Sequence, residues 1–262
     1  MIINTSKVAQ KAREDALLMV HRARAGHIAS SLSCIDILSV VYYQIDIRVP
    51  KDSQNIVLVS KGHAAAGVYA VMANLGLLDS SLLLDYCNDG SILGGHVSSR
   101  QYIDLSTGSL GHALSFANGK ALALRKKKSS AKIFVVLSDG ECDEGSNWEA
   151  ALFASHHKLS NIKVLIDRNY LQSLTDTEKT LSLEPLEEKW RSFGWCSQTI
   201  NGHDHHQLQS FMQHVCEKPT LAVCETTKGK GVSFMEQQVL WHYRSPSDSE
   251  LALALKEVRD NA

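Results

Sequence analysis

Ile133-Phe134-Val135-Val136-Leu137, then Ser138-Asp139-Gly140, then Ser146-Asn147-Trp148-Glu149, and finally Ile162-Lys163-Val164-Leu165-Ile166 spell out a strand, a turn, a helix and a second strand. The two apolar runs lack the alternation of a half-exposed strand, so each expects cover on both faces, as in a parallel sheet between helices. Ser146 and Glu149 have the spacing of a capping box, and Trp148, Ala151, Leu152, Ser155 and Leu159 recur on one helical face. The unit reads as a βαβ crossover joining parallel neighbours.

The same pattern extends outward. Ile56–Val59, Trp195–Thr199 and Leu221–Cys224 are further strand-length runs. Helices are expected where Val8, Ala12, Ala16, Met19 and Ala23 repeat, from His63 through Leu75, over Ala113–Arg125, and after Asp204, which caps with Gln207 a helix bearing Leu208, Phe211, Met212 and Val215. Pro185 suits a helix first turn. Arg125-Lys126-Lys127-Lys128 complements the carboxyl end of the third helix. The expected fold is α/β, a doubly wound and mainly parallel sheet forming a single domain over residues 1–262, with no repeat or linker dividing it.

Bulk properties narrow the function. The chain is 44% hydrophobic and 21% charged, enough to bury a large core, and its net charge of -1 provides no field for nucleic acid or anionic lipid. No apolar run nears the ~20 residues of a membrane span, and MIINTSKVAQ lacks a secretory apolar region, so no membrane association and a cytoplasmic location are expected. Cys34, Cys87, Cys142, Cys196, Cys216 and Cys224 are scattered without zinc spacing and are expected to be reduced, mostly buried thiols.

Ligands of such sheets bind beyond the carboxyl ends of the strands. Asp139 follows one strand and Asn169 follows the next, so both side chains would reach one crevice. With a backbone carbonyl such as that of Leu171 they make an oxygen-only set suited to magnesium and phosphate oxygens. Gly140 and Gly145 permit close backbone approach, and the following helix points its positive end at an anion. Turn-forming strand ends would place Asp and Asn there equally well. Gly-His occurs at 26–27, 62–63, 95–96, 111–112 and 202–203. Random pairing of 16 glycines with 12 histidines would give about 0.7. Any single such imidazole could cap a loop, but together they suggest polar fingers around a diphosphate and a reacting oxygen. Gly229 to Pro246, with Trp241-His242, is long enough to be a closing loop.

Ser138-Asp139-Gly140, Glu144-Gly145 and Asp167-Arg168-Asn169 resemble the thiamine diphosphate fingerprint, Gly-Asp-Gly followed one βαβ unit later by Asn. Together with Gly26-His27, Ser60-Lys61-Gly62-His63, Gly94-Gly95-His96, Thr107-Gly108-Ser109-Leu110-Gly111 and Gly202-His203-Asp204 in order, the chain resembles the N-terminal part of the transketolase family from residue 7 to 250. The resemblance implies the thiamine diphosphate-binding fold, in its diphosphate-binding module, and cofactors thiamine diphosphate and magnesium. By it, Asp139, Asn169 and the Leu171 carbonyl would hold the metal. Gly140 would pack on the diphosphate, His63 would contact it, and Gly108, Ser109 and Leu110 would meet the aminopyrimidine. His27, His96 and His242 would be catalytic, lining the channel where sugars react, while Glu144 would face the partner near the cofactor.

The resemblance also implies a partner, a C-terminal transketolase subunit with the pyrimidine-binding module and the glutamate that activates the cofactor, in a two-plus-two heterotetramer acting on sugar phosphates. Ser138, Ile28-Ala29, Ser109 and His112 depart from the family pattern. Two other readings of the fingerprint are the alpha subunit of a 2-oxoacid dehydrogenase and a non-catalytic cofactor-binding or scaffold subunit.

Overall fold

The computed structural model of the chain describes residues 4–260. Five strands, β1 (Ile56–Val59), β2 (Ile133–Ser138), β3 (Ile162–Arg168), β4 (Cys196–Asn201) and β5 (Thr220–Glu225), form one sheet in the order β1-β2-β3-β5-β4, with every pair parallel. Helices α1 (Thr5–Ala23), α2 (Ile28–Tyr42), α3 (Ala65–Asn74), α4 (Ala113–Lys126), α5 (Gly145–His156), α6 (Thr177–Thr180), α7 (Leu186–Ser192), α8 (His205–Gln213) and α9 (Asp248–Asp260) complete the chain.

The period of two in a strand divides the core. Val57, Val59, Phe134, Val136 and Leu165 point into one cluster with α1, α2, α3 and α8, while Leu58, Ile133, Val135, Leu137 and Val164 point into a second with α4, α5 and α7. The sheet is therefore doubly wound. Each fully buried Leu or Ile of these clusters contributes about 1.5–3 kcal/mol relative to exposure. Because all strands run the same way, their carboxyl ends share one edge, and the chain reverses its order there between β3 and its outer neighbours.

Several expectations are corrected. α2, absent from the expected elements, carries no amphipathic stripe because all 15 of its residues are buried, leaving no polar face to set a period. The Ser146–Glu149 capping box does not form. α5 starts one residue earlier, Glu144 is its N-cap without a side-chain bond, and Ser146 Oγ donates instead to the Gly111 carbonyl at 2.8 Å. The buried face of α5 runs through Asn147, Ala150, Ala151 and Ala154, leaving Leu152 exposed. Val215 lies beyond the end of α8 and is 83% exposed.

The cysteines are not all reduced, since Cys196 and Cys216 form a disulfide. Parallel β4 and β5 begin at the same pole, so the chain returning from α8 to start β5 passes the start of β4. Cys34, Cys142 and Cys224 are buried free thiols, and Cys87 is exposed. Among the described residues no helix is long and apolar enough to cross a membrane.

Candidate active site

Asp139 leaves β2 and turns back toward β3, where its Oδ2 accepts the backbone N–H groups of Asn169 (3.0 Å) and Tyr170 (2.7 Å) and its Oδ1 accepts that of Gly140 (2.8 Å). Adjacent parallel strands end level, with Ser138 opposite Asp167, so residues 30 apart in sequence meet across a single backbone step. Asn169 Nδ2 donates to Asp167 (3.1 Å), which turns its Oδ1 toward the Leu171 N–H (3.2 Å). Asp139, Asn169 and Leu171 line one cavity of about 250 Å³ at the carboxyl edge of the sheet, with Gly140, Gly108 and Leu110.

Four histidines close over this floor. The His27 ring centre lies 5.4 Å from that of His63, 5.8 Å from His96 and 5.0 Å from His242. Each arrives by a different local device. His27 caps α2 in the left-handed region, φ 68°, with its N–H donating to the His242 carbonyl at 2.7 Å. His63 follows Gly62, where an added Cβ would fall 2.3 Å from the Thr107 carbonyl oxygen, so only glycine lets the β1 turn lie against the loop that carries His96 and Gly108. His242 sits in a helical turn, Val239–His242, that packs the 229–246 segment onto the crevice.

Electrostatics keep His27, His63 and His242 neutral above a floor of buried, paired charges. Burial, then His96 and Lys228, lower His27 to about 4. Burial, then Lys228 and His27, lower His242 to about 3, and His63 is likewise pulled well down by burial and Lys61. Lys61 is fully buried against Asp167; burial opposes its charge, but the carboxylate outweighs this and raises it. Asp167 itself, though buried, is held below the usual carboxylate range by Lys61 and by hydroxyls of Ser33 and Thr226. Asp139 goes the other way, raised by burial and by Asp167 despite Arg168. Lys228 Nζ donates to the Leu171 carbonyl at 3.0 Å and lies 3.2 Å from His242 Nδ1, a cation already drawn to that oxygen. Burial and Lys61 lower it to about 8.

Ten of the twelve sequence-derived site residues line the cavity. Ser109 and Glu144 do not. Glu144 is exposed at the start of α5, and Ser109 is exposed on the loop before α4. The motifs gave no role to Lys61, Lys228, Gln172, Ser173 or Ser30, which also line it. Lys61 had a usable signal, a lysine beside a glycine just past a strand. Glu141 is another omission: fully buried, it accepts from Ser60 Oγ, Gly111 N–H (2.8 Å) and Ser138 N–H (3.2 Å), tying three loops beneath the crevice. Nothing in its spacing distinguishes it from a surface carboxylate.

The parallel sheet and this crevice define an α/β domain with a pocket at the strand ends, over an oxygen-rich floor flanked by two buried lysines. The chain belongs to the transketolase family: residues 4–257 match the family profile described as transketolase, thiamine diphosphate binding domain. It is 36% identical over 256 residues to an apulose-4-phosphate transketolase subunit of Actinobacillus succinogenes, covering 95% of this chain and 93% of that protein. It is 32% identical to the 6-deoxy-6-sulfo-D-fructose transketolase subunit SqwG of a Clostridium species, covering 98% of this chain and 96% of that protein. Among solved structures it is similar to transketolase from Campylobacter jejuni, with a TM-score of 0.89 and 26% identity, covering 99% of this chain and 43% of that one. The chain thus spans less than half of that transketolase.

Proposed function

We propose that the chain is the cofactor-binding subunit of a two-subunit transketolase of the cytoplasm, which moves a two-carbon ketol unit from a ketose phosphate to an aldehyde or aldose acceptor. The observation that carries this reading is the meeting of Asp139, Asn169 and the Leu171 carbonyl with four imidazoles in one crevice. The donor set fits magnesium, a hard cation that prefers carboxylate, amide and carbonyl oxygen to the thiols or rings nearby. Asp139, Asn169 and Leu171 would hold it, and through it a diphosphate lying over Gly140.

When bound, thiamine diphosphate supplies a carbanion nucleophile that protein side chains lack. The residues of this chain bind, orient and move protons around it. His63 would donate to the diphosphate, and the backbone of Gly108, Ser109 and Leu110 would meet the aminopyrimidine, a role Ser109 can fill without its side chain reaching the cavity. His27 and His242, neutral at pH 7, each have one N–H to give and one lone pair to take, so they can hold substrate oxygens and relay protons without first losing one. His96 would complete this channel.

A partner is supported by the word subunit in the names of both relatives and by the exposed apolar rim of Leu174, Leu240 and Tyr243 around a depression that shares Ser173 with the cavity. Glu144 would face that partner, which would bring the pyrimidine-binding module and its activating glutamate, in a two-plus-two assembly. Family membership favours ketol transfer over the 2-oxoacid dehydrogenase alternative. The test is a coupled assay with xylulose phosphate as donor, run on this chain with and without the partner. Transfer to an aldose acceptor only in the reconstituted pair is the expected result. Absence of transfer to any aldose, or full turnover by the single chain, would overturn the proposal.

A further inference from the structure

Gly202-His203 does not send its ring to the cavity, yet that ring is held at both nitrogens. His203 Nδ1 lies 2.7 Å from Asp36 Oδ2, and Nε2 accepts the backbone N–H of Thr227 at 2.9 Å. A backbone amide can only donate, so Nε2 carries its lone pair, the ring proton sits on Nδ1, and it points at Asp36. Asp36 is buried on α2 and also receives Arg13 and, at 3.0 Å, His205 Nε2. Burial works against its charge, but these cationic and N–H neighbours outweigh burial and keep it ionised far below the ordinary carboxylate range. The carboxylate thus sets the tautomer, and the tautomer sets the amide of Thr227.

Glycine at 202 is a condition of this contact. A Cβ there would lie 2.4 Å from Thr226 Cγ2 and 3.0 Å from the Cys224 Cβ, so any other residue would lift the tip of β4 off the end of β5. The residue after Thr227 is Lys228, the buried ammonium that reaches the Leu171 carbonyl in the crevice. Two other tethers flank it: Thr226 Oγ1 donates to Asp167, and the Gly229 N–H donates to the Ala29 carbonyl at 3.1 Å. Between them the Thr227 carbonyl accepts the Lys230 N–H at 3.1 Å and the Lys228 carbonyl accepts the Gln237 N–H at 2.9 Å, both from the same loop. His203 instead reaches across from the end of β4 to the Thr226–Thr227 peptide, one residue before Lys228.

We propose that His203, oriented by Asp36, is a positioning residue that fixes the Thr226–Thr227 peptide, and with it the backbone leading into Lys228, and thereby holds the Lys228 ammonium on the Leu171 carbonyl. Its catalytic consequence rests on the cofactor-site reading above; the positioning itself does not. His203→Leu removes the acceptor, whereas His203→Gln can supply an amide oxygen to Thr227 and an N–H to Asp36.

The test measures hydrogen exchange of the Thr227 amide and modification of Lys228 by an amine-reactive reagent, read by mass spectrometry on the full chain. In His203→Leu, Thr227 exchange rises by roughly tenfold or more and Lys228 labelling rises severalfold while the β5 amides stay protected. His203→Gln restores both. In the enzyme reconstituted with its partner, the leucine variant raises KM for thiamine diphosphate and leaves kcat at saturating cofactor little changed. If β5 protection is lost throughout His203→Leu, Asp36→Asn, which keeps the shape but frees the tautomer, carries the same expectation for Thr227 and Lys228. Unchanged Lys228 labelling in a folded variant overturns the proposal. The exchange and labelling results stand even if the pair transfers no ketol unit, so the two readings can fail separately.

Discussion

His27 touches every other imidazole of the crevice, which makes its protonation state a property of the whole cluster. An unfolded chain takes up protons on these rings as the pH falls through about 6.5, whereas the folded chain resists until about 4 at His27 and about 3 at His242. Stability is therefore fully present above about pH 6.5 and is lost as the pH falls toward 3. Denaturant titrations should show the midpoint dropping across that window, with a flatter profile in the double variant His27→Gln, His242→Gln. A wild-type midpoint that does not move there would contradict the assignment. Lys61 and Asp167 are both fully buried, so Lys61→Met strands a carboxylate and should cost about 3–5 kcal/mol in urea unfolding, much of it regained in Lys61→Met, Asp167→Leu. A loss near zero in the single variant would show that the pair is not the clamp described. Lys228 was hard to find for a local reason: the apolar run of β5 ends at Cys224 and the irregular stretch is recognisable only from Gly229, so the lysine falls between the two signals.

At the level of elements, legibility followed burial geometry. β2 and β3 were readable to within two residues because a strand covered on both faces is continuously apolar, and their tips carried Asp139 and Asn169 with them. α2 was invisible for the complementary reason, being surrounded on all sides and rich in serines that turn inward. Asp204 did cap α8, accepting from the backbone N–H groups of His206 and Gln207, while the look-alike at Ser146 was diverted to the Gly111 carbonyl. A cap is local and can be read from spacing, but a competing carbonyl from another loop cannot. The Gly-His pairs divide the same way: three bring rings to the cavity, Gly202-His203 serves the loop beneath it, and His112 opens α4. Gly62 offers the sharpest check on that packing. Gly62→Ala would push its methyl into the Thr107 carbonyl and should destabilise the fold by about 1–3 kcal/mol while separating the loops that carry His63 and His96. A neutral effect on both the unfolding midpoint and the cofactor affinity would mean that these loops are not in contact.

Across the whole molecule, a sheet with all its carboxyl ends on one edge gathers groups from β1, β2, β3 and β5 that are far apart in sequence: Lys61, Asp139, Asn169 and Lys228. The fold and its floor could be anticipated from two strand tips, but the buried charges that tune them could not, since Glu141, Asp167 and Arg168 acquire meaning only from neighbours on other strands. A ligand that binds this edge in the folded state alone should also raise the melting temperature, by an amount set by its concentration relative to Kd. The central claim is that Asp139 and Asn169 jointly hold a divalent cation under a diphosphate, and calorimetric titration of thiamine diphosphate into the reconstituted pair tests it most directly. The account predicts binding that requires magnesium and weakens by roughly 10–100-fold in Asp139→Asn. Equal binding with and without magnesium, or in the variant and the wild type, would contradict it.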